Sequence, residues 1–167
     1  EFKLSPGWHT YWKNPGDSGE GATINWNLPL GFKASEILWP GPERIPVDPL
    51  MTFGYEDKAL LLTKITAPDE FSGPVNIFAK VNWLTCMHIC IPQEGEVDLT
   101  LIKGPKTLNE FSVKLKKIAL TVPKKFPMAS RVTEVNEKIF LQFEKEGSIN
   151  ISEAYFFPGE YGLISYV

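Results

Sequence analysis

A chain of 167 residues with 43% hydrophobic and 13% aromatic content holds enough apolar material for one ordinary domain or two small ones. Its formal net charge of −3 excludes nucleic acid as the main partner, because a phosphate-binding domain carries a basic excess. No run of about 18 apolar residues occurs, so no helical membrane span is expected within these residues.

Fourteen prolines and 13 glycines punctuate short alternating runs, the pattern of an all-β sandwich rather than a helical or α/β domain. In EFKLSPGWHTYW, residues 1–12, Phe2, Leu4, Trp8, Thr10 and Trp12 share one face of an expected strand, which leaves His9 and Tyr11 on the other. KNPGDSGEG, 13–21, is rich in turn formers and is expected to be a loop, with the Asp17 side chain bonding its own backbone. ATINWNLP then places Ile24, Trp26 and Leu28 on one strand face. WPGPERIPVDP, 39–49, reads as a proline-rich connection, and in MTFGYEDKALLLTKI the run from Ala59 to Leu62 predicts a deeply buried strand.

The clearest alternation follows. Val75, Ile77, Ala79, Val81 and Trp83 alternate with Asn76, Phe78, Lys80 and Asn82, and Val97, Leu99 and Leu101 alternate with Asp98 and Thr100. CMHICIPQEG, 86–95, is therefore expected to be the loop of a β-hairpin or a short helical turn set into it. Trp8, Trp12, Trp26 and Trp83 all fall on apolar strand faces, which counts against a sugar-stacking surface. TLNEFSVKLKKIAL, 107–120, is the one helix candidate, with a capping-box pattern at Thr107 and Glu110 and with Leu108, Phe111, Leu115 and Ile118 on one face. The lysines at 114, 116, 117, 124 and 125 read as a solvated face. Beyond the linker VPKKFP, apolar runs at 132–135, 139–143, 149–157 and 162–167 predict further short strands. The expected division is a sandwich at 1–105, a helix and linker at 106–125, and a second, partial β unit at 126–167. The chain opens and closes within strand-like patterns, so a piece of a longer protein is expected.

Chemistry concentrates in WLTCMHICIP, 83–92, which holds both cysteines with His88 between them. Three residues separate Cys86 from Cys90, and a tight turn brings such Cα atoms within the roughly 4.4–6.8 Å that a disulfide needs. So small a ring removes little unfolded-chain entropy, which suits the pair to making and breaking its bond better than to stapling a fold. A protonated His88 would favour the thiolate, whereas Trp83, Leu84, Met87 and Ile89 would favour the neutral thiol. Two further readings use the same atoms: a structural disulfide or inert thiols, and a Cu(I) site made by Cys86, Met87, His88 and Cys90, with His9 joining from elsewhere. Spacing leaves all three open. An oxidising compartment fits the close pair, and the patterns of paired-carboxylate, serine-triad and phosphate-loop chemistry are missing from the sequence. His9 and Tyr11, opposite the apolar strand face, are the candidates for a wall beside the cysteine loop or a docking surface.

GWHTYWKNPGDSG, FGYE at 53–56, WLTCMHICIP and AYFFPGEYG at 154–162 occur in an order that resembles the periplasmic N-terminal region of the DsbD family of thiol:disulfide interchange proteins, especially its ScsB-like branch. The three-residue gap between the cysteines is shorter than in the best-known DsbD domains and is similar to that branch. The resemblance implies an immunoglobulin-like sandwich in the periplasm, joined to a membrane-embedded electron-carrying domain of the same parent protein, and periplasmic thioredoxin-like client proteins as partners. It implies that Cys90 attacks a client disulfide, that Cys86 resolves the mixed disulfide, and that no cofactor is needed. It also implies a cap over the cysteines, with Phe53 as the shield and Tyr55 and Glu56 beside it, while His9, Tyr11 and His88 are candidate modulators.

Overall fold

The computed structural model describes residues 1–105, 110–126, 128–144 and 153–162. These form two compact units, the first from the described residues of Glu1–Pro123 and Pro158–Val167, the second from those of Lys124–Phe157. In chain order the first unit holds β1 (Phe2–Lys3), β2 (His9–Gly16), β3 (Thr23–Asn27), β4 (Lys33–Ala34), β5 (Glu43–Val47), β6 (Leu50–Glu56), β7 (Lys58–Ala59), β8 (Ile65–Thr66), β9 (Val75–Cys86), β10 (Cys90–Leu101) and one helix, α1 (Glu110–Ala119). The fold is all-β with open sheets.

The main sheet runs in the order β10-β9-β2-β6-β5, with β3 also paired to β9. Its spine is the β9–β10 hairpin, paired residue for residue from Cys86 opposite Cys90 to Val75 opposite Leu101. Along β9, buried Ile77 and Ala79 alternate with exposed Asn76 and Phe78, which identifies the core face. Thr85 shares that face by alternation, and the pairing of Thr85 with Thr10 and of Thr10 with Tyr55 carries it across the sheet. Trp12, Phe53 and Tyr55 therefore belong to the same core, and all three are buried. Each large apolar side chain so buried contributes about 1.5–3 kcal/mol. The Tyr55 hydroxyl donates to the Pro40 carbonyl at 2.9 Å, so its polar tip is satisfied inside the core. Two small antiparallel pairs, β1 with β7 and β4 with β8, complete the strands of this unit.

Several strands depart from the sequence pattern, each for a local reason. The first expected strand is broken into β1 and β2 by a turn in which Trp8 N–H bonds the Ser5 carbonyl. β2 then continues through Gly16, into what reads as a loop, and is buried everywhere except Lys13. The proline-rich connection contains β5, whose buried Ile45 lies opposite Thr52; Pro46 is tolerated there because β5 is the outer strand of the sheet. The deeply buried strand is β6 rather than the run from Ala59 to Leu62, of which Ala59 alone is in a strand and fully buried. The cysteine loop is shorter than expected, because the ladder continues to Cys86 and Cys90 themselves and leaves only Met87–Ile89 to turn the chain.

α1 starts at Glu110; Thr107 and Leu108, assigned to its cap and apolar face, lie outside the described residues. Among the described residues of its apolar stripe, Ile118 is buried, whereas Phe111 and Leu115 are exposed. The second unit contains a hairpin of β11 (Ser130–Val135) and β12 (Lys138–Phe143), turned by Asn136 and Glu137 at positive φ. Of the strands expected at 149–157 and 162–167, residues 149–152 and 163–167 lie outside the described residues, and 153–162 carry no strand. Pro158 belongs with the first unit. The reason is Asn14, a buried β2 side chain whose Nδ2 donates to the Pro158 carbonyl at 2.9 Å and to the Glu160 carbonyl at 3.0 Å.

The approach of β2 to β6 is close at Gly54, where a Cβ would stand 2.1 Å from the Thr10 carbonyl oxygen. Gly54→Ala is expected to destabilise the protein by about 3 kcal/mol, since backbone rather than a rotatable side chain must move. Gly95→Ala, whose Cβ would meet only the Trp83 ring at 3.3 Å, should cost about 1 kcal/mol or less. Urea denaturation of the two variants checks the contrast.

Candidate functional site

Directly opposed residues of antiparallel strands place their side chains on the same face. His9 lies opposite Glu56 on one side and Cys86 on the other, and Cys86 lies opposite Cys90. Glu56, His9, Cys86 and Cys90 thus form one row across β6, β2, β9 and β10, on the sheet face away from the core. The sulfurs are joined at 2.02 Å, with Cα atoms 4.1 Å apart. Direct cross-strand opposition is what brings the two backbones this near.

The two cysteines differ in their access to solvent. Cys86 is 3% exposed, in the interior of the sheet where β2 meets β9, whereas Cys90 opens the outer strand β10 and is exposed. Tyr11, two residues beyond His9 and on the same face, donates its hydroxyl hydrogen to Cys86 Sγ at 2.8 Å, with Cys90 Sγ 3.4 Å from the same oxygen. Burial pushes the Tyr11 phenol above its ordinary range, so it stays protonated and remains a donor. The His9 ring meets Tyr11 edge to face at 5.3 Å. Burial pushes His9 below its ordinary value, with Glu56 opposing that shift to a smaller extent, so the imidazole is neutral at pH 7.

Beyond the cysteines on this face stand Leu84 and Pro92, opposite one another. They border an open groove of about 350 Å³ also lined by Glu20, Thr23, Asn82 and Glu94. The groove is assembled from three strands and a loop, so no short stretch of sequence announces it. At the turn, Met87 N–H bonds the Ile89 carbonyl at 3.3 Å, and Met87, His88 and Ile89 project into solvent.

Of the residues singled out in the sequence, Cys86, Cys90, His9, Tyr11 and Glu56 are brought together. Phe53 and Tyr55 are not. They occupy the core face of β6, 2% and 6% exposed, and the sheet itself separates them from the disulfide. The expected aromatic cap is therefore corrected: strand alternation turns Phe53 inward, and Cys90 is exposed. His88 points out at the turn, and among the described residues no group of three or more His, Cys, Asp or Glu side chains is placed to hold a metal ion. The copper arrangement of Cys86, Met87, His88 and Cys90 would require the reduced pair, since the two sulfurs are bonded to each other in this structure.

The neutral, buried His9 makes a signed prediction. A group whose folded pKa is depressed contributes stability that is present above its unfolded value of 6.5 and is lost as pH falls through the folded value. The stability difference between the native protein and His9→Gln should shrink as pH drops from 7.5 to 5, by no more than about 1.4 kcal/mol per pH unit. Paired urea titrations across that range test it; a difference that does not change with pH would show that His9 is not held neutral.

Residues 1–102 match the family described as thiol:disulfide interchange protein DsbD, N-terminal. The crystal structure of the N-terminal periplasmic domain of ScsB from Proteus mirabilis has a similar fold, with a TM-score of 0.66 and 24% identity over 87% of this chain and 56% of that one. The chain thus spans little more than half the length of that structure. No curated protein matches it. The family match takes in β1 to β10 and with them the disulfide, the turn and the whole cross-strand row, so the chain belongs to the DsbD N-terminal family of thiol:disulfide interchange proteins.

Proposed function

We propose that this module reduces disulfides of thioredoxin-like client proteins in the periplasm and is itself re-reduced by a membrane-embedded domain of the same parent protein. The observation that carries this reading is the asymmetry of the pair: an exposed Cys90 at the start of an outer strand, backed by a buried Cys86 that Tyr11 contacts. Family membership and the name of the ScsB structure, a periplasmic domain, support the location.

The chemistry takes two exchanges. In the reduced module the Cys90 thiolate attacks one sulfur of the client disulfide, forming a mixed disulfide and releasing the first client thiolate. The Cys86 thiolate then attacks Cys90 Sγ, which closes the Cys86–Cys90 bond and releases the second client thiolate. Two electrons have passed to the client, and two electrons from the membrane domain restore the dithiol. Because Cys86 is buried, its thiolate needs a partner in place of water, and the Tyr11 hydroxyl supplies a hydrogen bond of the kind that contributes about 1.5–3 kcal/mol to a charged acceptor.

Two measurements test the reading. Cys86→Ser should accumulate a stable mixed disulfide with client proteins through Cys90, whereas Cys90→Ser should trap almost none; equal trapping by both variants would overturn the division of roles. The reduction potential of the pair should lie within the range of about −120 to −270 mV spanned by exchange proteins, and a value below about −300 mV would mark an inert staple. Met87→Ala and His88→Ala should leave exchange within about twofold of the native rate, because neither side chain contacts a reacting sulfur by the proposed route.

A further inference from the structure

The stretch NPGDSG contributes no atom to either exchange, yet its last glycine lies against the residue that touches the sulfurs. Asp17 is clamped to the start of β6 at two points, its N–H bonding the Met51 carbonyl at 2.9 Å and its Oδ2 accepting from Met51 N–H at 2.7 Å. The clamp fixes the loop that follows. Gly19, at φ +103°, lies so close to the Tyr11 ring that a Cβ would stand 2.1 Å from Cε1 and 2.3 Å from Cζ. Cζ bears the hydroxyl that donates to Cys86 Sγ. Gly21 in turn lies against β2, where a Cβ would stand 2.8 Å from the Trp12 carbonyl oxygen.

We infer that Asp17 and Gly19 are positioning residues for the thiol chemistry: the loop they hold seats the Tyr11 ring so that its hydroxyl meets Cys86 Sγ, and by that route sets the reactivity of the cysteine pair. The inference rests on the exchange reading above and adds a determinant remote from the sulfurs. A phenol ring on a strand has more than one rotamer open to it, and its hydroxyl must be aimed at the sulfur for the hydrogen bond to form. The loop removes that freedom by occupying the space on the side where Gly19 stands. A methyl group at Gly19 displaces the hydroxyl end of the ring first, because Cε1 and Cζ are its nearest neighbours. Loss of the Asp17 carboxylate frees the loop instead, and the ring follows it into the vacated space.

The test is a double-mutant cycle read by the pH midpoint of the ultraviolet thiolate absorbance of the reduced protein, with the reduction potential as a second readout. Tyr11→Phe removes the donor that favours the thiolate and should raise the midpoint by about one unit. Gly19→Ala and Asp17→Ala should each move the midpoint in the same direction, by about half that shift or more, and should add nothing when combined with Tyr11→Phe. Asp17→Asn, which keeps an oxygen acceptor for Met51 N–H, should restore a near-native midpoint. A purely structural loop would lower thermal stability alike in both backgrounds and leave the midpoint unchanged, which would overturn the inference. So would equal shifts with and without the Tyr11 hydroxyl. If Gly19→Ala fails to fold, the Asp17→Ala and Tyr11→Phe cycle decides alone. If the reduced native protein exchanges with no disulfide, including hydroxyethyl disulfide, the proposed function fails instead, a result separable from an exchange-competent protein in which the loop variants are silent.

Discussion

Two backbone pairings, His9 with Cys86 and Thr10 with Thr85, join the cysteine hairpin to β2 and, through it, to β6 and β5. The rest of the site depends on that register. A slip of one residue along β2 would exchange the faces of His9 and Thr10 and turn Tyr11 into the core, away from the sulfurs. The register is held by burial on both faces at once, since Thr10 and Trp12 enter the core on one side while His9 and Tyr11 are covered on the other.

The site resolves a conflict between concealment and reactivity. A buried sulfur is shielded from small oxidants and from unwanted partners, but burial also penalises the thiolate that exchange requires. A phenol kept protonated by the same burial supplies a donor without adding a charge. Cys90 stands at the opposite extreme, exposed at the start of an outer strand. Depth in the sheet thus gives two chemically identical side chains different access to solvent.

Much of this was legible in the residues. Strict alternation through 75–83 and 97–101 marks the hairpin because one face of those strands enters the core, and period-two patterning is what such strands must show. The same rule set His9 and Tyr11 apart from Trp12. It gave no warning for Pro46 in β5, since an outer strand leaves one edge unbonded and a sequence does not reveal which strand is outermost. It also misplaced the deeply buried strand of residues 51–65: Leu60 to Leu62 are the more apolar residues, but Thr52 and Gly54 belong to the strand that is sandwiched between β2 and β5. Central position in a sheet buries a polar Thr52 to 1% exposure, whatever its side chain prefers.

The sequence by itself determined the chemistry available: two closely spaced cysteines, an all-β framework, and a tyrosine and histidine set on the face opposite the apolar one. These follow from residue type and local spacing, which act through the chain's own geometry. Tertiary structure alone decided which cysteine is exposed, that Phe53 lies behind the sheet rather than over the disulfide, that Asp17 is tied to Met51, and that Tyr11 reaches the sulfurs. Those facts depend on contacts between distant segments, as in the bonds that join Asp17 to Met51, 34 residues away, and Tyr11 to Cys86, 75 residues away. Such contacts are set by which strands become neighbours, a choice made by the burial of the whole core at once.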